Sequence, residues 1–196
     1  MEKESRKLFW RNVELEVFDS VYEPREDSCL LAESTRVKEG CFALDMGCGC
    51  GIQAVNMAMQ GAKVTAVDIN QRAVKNTREN AKRLGLSDRI SAKKSNLFSA
   101  LKGKKFDLIA FNPPYLPNQG KADVALDGGT KGQEITHKFL DRLSFHLEER
   151  GECFVVASSL NGFSALPLKA SELSFSCRCV ARKKLFFEEI GVFRLC

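Results

Sequence analysis

Val13-Glu14-Leu15-Glu16-Val17 alternates apolar and polar residues with a period of two, which predicts a short outer strand within Leu8 to Phe18. Val21 to Ser28 is polar and broken by Pro24. A helix through Leu30, Leu31 and Val37 should follow, capped by Asp27 or Ser28 and ended by Gly40. Beyond Gly40 the pattern changes. Cys41 to Met46, Lys63 to Asp68, Ile90 to Asn96, Phe106 to Asn112 and Cys153 to Ala157 are short apolar runs bounded by turn formers, as buried strands are. Helical spacing fills the intervals. Ile52 to Met59 is one such stretch, and Asn70 to Leu84 carries Ala73, Val74, Thr77 and Ala81 on one stripe. Gln133 to Leu147 turns Ile135, Phe139, Leu143 and Leu147 inward, and Ala165 to Leu173 makes another helix. The last strands, Phe175 to Leu185 and Gly191 to Leu195, lie too close in sequence for a crossover helix, so they pair antiparallel. The order implies an α/β fold: a mostly parallel sheet with one antiparallel strand and helices on both faces.

A chain of 196 residues suits a single domain. No apolar stretch reaches the roughly 18 residues of a membrane span, and the charged start lacks a signal core, so a cytoplasmic protein is expected. A net charge of +5 is mild. The basic clusters at Lys102-Gly103-Lys104-Lys105 and from Arg178 to Lys184 lack interleaved aromatics and read as solvated faces ahead of polyanion contacts. The eight cysteines follow no disulfide or zinc spacing. Cys29, Cys41 and Cys153 read as small core residues, and no metal site is expected.

Two stretches carry chemistry. Asp45-x-Gly47-x-Gly49-x-Gly51 lies at the first strand-to-helix joint, where glycines let a ligand approach the backbone. Asp68 ends the next strand, placed to accept ribose hydroxyls. The spacing is not that of the dinucleotide fingerprint, and no arginine or lysine near the glycines would meet a pyrophosphate. Asp45 would repel a phosphate but suits the ammonium of S-adenosylmethionine, which is favoured over NAD. Asn96 can meet the adenine edge, with Leu97 or Phe98 over its face. The second stretch, Asn112-Pro113-Pro114-Tyr115, leaves the sheet abruptly at a strand end, because proline has no N–H for the ladder. Ligands bind at the carboxyl ends of such strands. Leu116 to Gly132 is long for a connection and reads as a functional loop or lid.

Together the glycine loop and Asn112-Pro113-Pro114-Tyr115 resemble the class I methyltransferases that act on a planar nitrogen. Val21-Tyr22-Glu23-Pro24-Arg25-Glu26-Asp27-Ser28 narrows the resemblance to the archaeal and eukaryotic branch of the release-factor glutamine N5-methyltransferases. It runs from about Val13 to the C-terminus. The resemblance implies a Rossmann-like, seven-stranded sheet of order 3-2-1-4-5-7-6 with strand 7 antiparallel, and a 1–40 extension of strand and helix over the cofactor site. It implies that Tyr22, Glu26 and Ser28 flank the cofactor, that Asp45, Gly47 and Gly49 hold its methionine part, and that Asp68 with Ile69 holds its ribose. Asn96 stands where the family more usually has aspartate near the adenine, beside Leu97. Asn112 and Pro113 would bind the substrate nitrogen and Tyr115 would pack against the flat acceptor group. Implied partners are a translation release factor, methylated on its Gly-Gly-Gln loop, and a small zinc-binding activator protein forming a heterodimer. The same clamp would serve N6-adenine methylation of RNA or DNA, the second reading.

Overall fold

A computed structural model describes residues 5–114 and 132–196. The chain opens with an antiparallel hairpin, β1 (Ser5–Trp10) and β2 (Val13–Phe18), followed by α1 (Glu26–Ser34). Alternation follows in β3 (Phe42–Met46), α2 (Ile52–Met59), β4 (Lys63–Asp68), α3 (Gln71–Arg83), β5 (Ile90–Lys94) and β6 (Phe106–Phe111). Past the undescribed residues come α4 (Glu134–Leu143), β7 (Leu147–Ser158), α5 (Ala165–Glu172), β8 (Cys177–Lys184) and β9 (Glu189–Leu195). The main sheet has seven strands in the order β5-β4-β3-β6-β7-β9-β8. Numbered from β3, that is the expected 3-2-1-4-5-7-6, and the seventh strand, β9, runs antiparallel to both neighbours.

Alternation of side chains along each strand divides the core between the two faces. Ala43, Val64, Ala66, Leu108, Ala110 and Phe154 pack with α1, α2, α3 and the hairpin. Leu44, Met46, Val67, Ile109, Phe111 and Val155 pack with α4 and α5. The stripe expected on α3 is wholly buried. That face also buries two polar residues that the stripe does not predict. Asn76 Oδ1 accepts from Phe18 N at 2.9 Å and Asn80 Oδ1 from Glu16 N at 2.9 Å, while both amide nitrogens donate to Glu16 O. Asn80 Nδ2 also donates to Cys50 O at 2.9 Å. Two side chains thus replace the sheet ladder that β2 lacks on that edge, and tie the hairpin to the glycine loop.

Several boundaries differ from expectation. β1 lacks a clean alternation and was not predicted as a strand of its own. Asp27 and Ser28 lie inside the first turn of α1, whose flanking residue Arg25 makes no side-chain cap. β5 ends at Lys94, so Asn96 belongs to the loop after it. Asn70 is the N-cap of α3, its Oδ1 accepting from Arg72 N. α4 ends at Leu143 rather than Leu147, which already belongs to β7. The turn between them is held by His146, whose Nδ1 lies 2.8 Å from Lys104 O and whose ring stacks on Phe98 at 4.3 Å. Cys153 is buried as expected, but Cys29 and Cys41 are only half-buried.

Candidate active site

The carboxyl ends of β3, β4 and β6 open onto a cavity of about 820 Å³, walled on the other side by Ser20, Val21, Tyr22, Pro24, Asp27 and Ser28. That size lies within the range of ordinary cofactor sites, roughly 300–1,000 Å³. Gly47 and Gly49 adopt φ of 69° and 54°, left-handed backbone that other residues rarely enter. Gly47 N and Cys48 N donate to Val67 O at 2.8 and 3.0 Å, which binds the loop to the end of β4. Gly51 starts α2 with φ 91°, and a Cβ there would meet the Thr77 side chain at 3.0 Å. The loop therefore keeps its backbone open to the cavity on one side and packed on α3 on the other. The Cys48 and Cys50 thiols between the glycines are buried, and burial pushes the Cys50 thiol up to about 12.

Asp45 is only 1 % exposed and faces the α2 side of the sheet. Its Oδ2 accepts from Ala54 N at 2.9 Å. Burial pushes its carboxyl up to about 7, the Ala54 hydrogen bond opposing and the Asp68 charge adding to the rise. Asp68 spans the loop: Oδ2 accepts from Gly49 N at 3.0 Å and Oδ1 from Asn70 N at 2.8 Å. Burial raises its pKa too, against those backbone bonds. With Asp27, three carboxylic side chains line the cavity, and among the described residues lining it there is no lysine, arginine or histidine. Such a wall favours a ligand bearing positive charge.

At the end of β6, Asn112 continues the side-chain parity of Leu108 and Ala110 and so turns toward α1. Its Nδ2 donates to Ser28 Oγ at 3.2 Å. Ser28 Oγ donates in turn to Asp27 Oδ1 at 3.2 Å, and the Tyr22 phenol donates to Asp27 Oδ2 at 2.9 Å. Burial and the Asp27 carboxylate hold the Tyr22 phenol well above its usual range. The chain Tyr22–Asp27–Ser28–Asn112 fixes the amide so that its nitrogen is used internally. Its Oδ1 is buried and has no hydrogen-bond partner among the described residues. Left so, a buried acceptor costs about 1–3 kcal/mol, so Asn112 is poised to receive a donor.

The structure brings Tyr22, Ser28, Asp45, Gly47, Gly49, Asp68, Ile69, Asn96, Leu97, Asn112 and Pro113 to this one cavity. Glu26 is not among them. It is exposed on the first turn of α1, and the helical register gives the inward place to its neighbour Asp27, 3 % exposed. Of the two residues considered for covering a flat ring, Leu97 lines the cavity in a left-handed conformation, φ 47°, while Phe98 turns into the core against Phe139 and His146. Tyr115 and the 116–131 part of the expected lid lie outside the described residues. Of the 1–40 extension, six residues between Ser20 and Ser28 form cavity wall, whereas the hairpin packs on α3. Gln53 is a lining residue that pattern reading missed. Its Nε2 donates to Ser28 O at 2.8 Å and its Oε1 is buried without a partner among the described residues. The signal was a glutamine within the otherwise mostly apolar Ile52–Met59.

These features fit S-adenosylmethionine. Asp45 and the Gln53 carbonyl offer acceptors that an ammonium would meet, the open glycine backbone leaves room for a methionine part, and Asp68, Leu97 and Ile69 line the cavity where a ribose and an adenine would need an acceptor and apolar cover. Comparison with known proteins agrees. The profile of the methyltransferase small domain family matches residues 20–187. A putative protein N5-glutamine methyltransferase of Methanocaldococcus jannaschii is 38% identical over 187 residues, covering 92% of this chain and 93% of its own. A release factor glutamine methyltransferase of Gloeobacter violaceus is 29% identical over 200 residues, covering 93% of this chain and 70% of its own. The structure of the Mtq2–Trm112 complex of E. cuniculi, responsible for methylation of the translation termination factor eRF1, superposes with a TM-score of 0.72 at 21% identity, over 90% of this chain and 98% of that one. The chain belongs to the methyltransferase small domain family, as an S-adenosylmethionine-dependent enzyme of its protein glutamine N5-methyltransferase branch.

Proposed function

We propose that this protein methylates the side-chain amide nitrogen of the glutamine in the Gly-Gly-Gln loop of a translation release factor. The observation that carries the reading is the buried, unpartnered Oδ1 of Asn112 at the rim of the cofactor cavity. A glutamine amide nitrogen is a poor nucleophile, because its lone pair is delocalised into the carbonyl. Asn112 Oδ1 accepts one of its N–H groups and the Pro113 main-chain carbonyl accepts the other. Two acceptors on one nitrogen hold it in a single orientation and favour its pyramidal form, in which the lone pair is free. S-adenosylmethionine supplies an electrophilic methyl group carried on a sulfonium. Tyr22, Asp27 and Ser28 keep the Asn112 amide from turning over, which would present a donor where an acceptor is needed. Once methylated, the nitrogen is acidic enough to lose its proton to water, so no strong base is required. Tyr115 is proposed to pack against the flat acceptor amide.

The protein is proposed to act in the cytoplasm, together with a small zinc-binding activator protein as a heterodimer. Among the described residues no helix is long and apolar enough to cross a membrane. The test supplies labelled S-adenosylmethionine, with and without the activator, to a purified release factor and separately to RNA. Peptide mass spectrometry should find the methyl on the loop glutamine. Label incorporated into adenine of RNA, with none in protein, would overturn the assignment.

A further inference from the structure

The Leu185–Glu188 turn joins β8 and β9, closed by Leu185 N donating to Glu188 O at 2.7 Å. Phe186 and Phe187 at its tip are 92% and 87% exposed, with ring centroids 4.6 Å apart and planes at 79°. Water disfavours such a pair. Each ring offers roughly 150–250 Å² for burial. The tip is not a loose end. Ser158 Oγ donates to Glu188, and Glu189 N donates to Ser159 Oγ at 2.9 Å, which locks the turn to the end of β7.

That end of β7 is the sheet edge that carries the active site. β7 runs parallel to β6, with Phe111 opposite Val155, and Ser158 pairs with Ile190 of β9. The tip therefore stands on the edge from which Asn112 emerges, two strands along. α1 packs against both β8 and β9, and the Glu188 charge is felt by the Tyr22 phenol that lines the cavity. Next to the tip, β8 ends in exposed Arg182, Lys183 and Lys184, with Glu189 of β9 opposite Lys184 and 3.7 Å from Arg182.

We propose that Phe186 and Phe187, with Lys183 and Lys184 beside them, form a docking surface for the protein acceptor, which meets it with apolar side chains and carboxylates flanking the presented glutamine. This rests on the proposed function above. The rigid aromatic pair fits a protein contact, since aromatic anchors rimmed by charge are the usual centres of binding energy. It does not fit single-stranded RNA. The two rings pack edge to face on each other rather than lying spaced along a basic groove for successive bases.

The experiment compares the wild type with the Phe186→Ser/Phe187→Ser double variant, each as its heterodimer with the activator protein, measuring release-factor methylation and, without turnover, release-factor binding by surface interferometry. The variant should raise KM and Kd for release factor at least about tenfold. Its kcat, S-adenosylmethionine affinity and melting temperature should stay as in the wild type. A merely structural tip would move those last values instead. Lys183→Glu/Lys184→Glu should also raise KM and flatten its dependence on salt. Unchanged KM and Kd in the phenylalanine variant, beside a wild type that binds and methylates release factor, would overturn this surface alone. A wild type that neither binds nor methylates release factor would overturn both the acceptor assignment and the surface. Short single-stranded RNA that competes with release factor for the wild type but does not bind the variant would also overturn it, in favour of a nucleic-acid surface.

Discussion

Replacing Asp45 with asparagine should make the cofactor-free protein more stable while weakening its hold on cofactor. Burial pushes the Asp45 carboxyl up to about 7 in the fold, from an ordinary value of 3.8. Between those limits the folded state holds a proton that the unfolded chain has released. Stability therefore falls as pH rises from about 4 to about 7, and the loss is complete above that. At about 1.4 kcal/mol per tenfold, the ionised group lowers stability by up to about 4 kcal/mol at pH 8. Asparagine keeps the shape and an acceptor for Ala54 N but carries no charge. The bond it makes to Ala54 N is weaker than that of a carboxylate, by roughly 1 kcal/mol. Asp45→Asn should thus gain roughly 2–3 kcal/mol at pH 8, a rise of roughly 4–12 °C in melting temperature for a domain of this size. The gap should close near pH 4. Cofactor affinity should move oppositely, since its cationic part loses a charged partner. A decline of about ten- to a hundredfold corresponds to roughly 1.5–3 kcal/mol. Wild-type affinity should also weaken as pH falls below 7, and the variant should lose that dependence. Thermal unfolding by circular dichroism across pH, with calorimetric titration of cofactor, measures both. A variant no more stable than the wild type at pH 8, or one that binds S-adenosylmethionine with unchanged affinity and pH profile, refutes the reasoning.

Asn112→Ala should leave S-adenosylmethionine affinity within about twofold and slow single-turnover methyl transfer by roughly 10²–10³, the effect of one oriented hydrogen bond at a reacting centre. Transfer at the wild-type rate would reduce the tetrapeptide to a turn. Asp68→Ala should weaken cofactor binding and also cost about 1–3 kcal/mol of stability, because Gly49 N and Asn70 N both lose their acceptor; equal dissociation constants would sink the ribose assignment. Asn80→Ala, behind the glycine loop rather than in the cavity, should lower stability by about 2–4 kcal/mol in urea unfolding, since Glu16 N and two carbonyls are left without it. A loss below about 0.5 kcal/mol would show that the hairpin is not held through α3.

The alternation of apolar runs and helical stripes determined the α/β class, and the absence of room for a crossover determined the antiparallel final pair. Both are local facts: a strand buried on two faces must be apolar throughout, and a short connection can only fold back. Asp45, the glycines, Asp68 and Asn112 were legible for the same reason, since each stands at a strand end where the chain turns. Tertiary structure decided what depends on residues far apart. Asn76 and Asn80 look like solvated polar positions until β2 is laid against α3. Glu26 is the residue expected at the cofactor and Asp27 only a helix cap, until helix register turns Glu26 outward and Asp27 onto Tyr22. The Gln53 carbonyl acquires meaning only when Ser28 takes up the amide nitrogen on its other side. Phe186 and Phe187 look like core residues by composition. Only the sheet order, which sets β9 beside β7, puts them in water on the edge where Asn112 emerges.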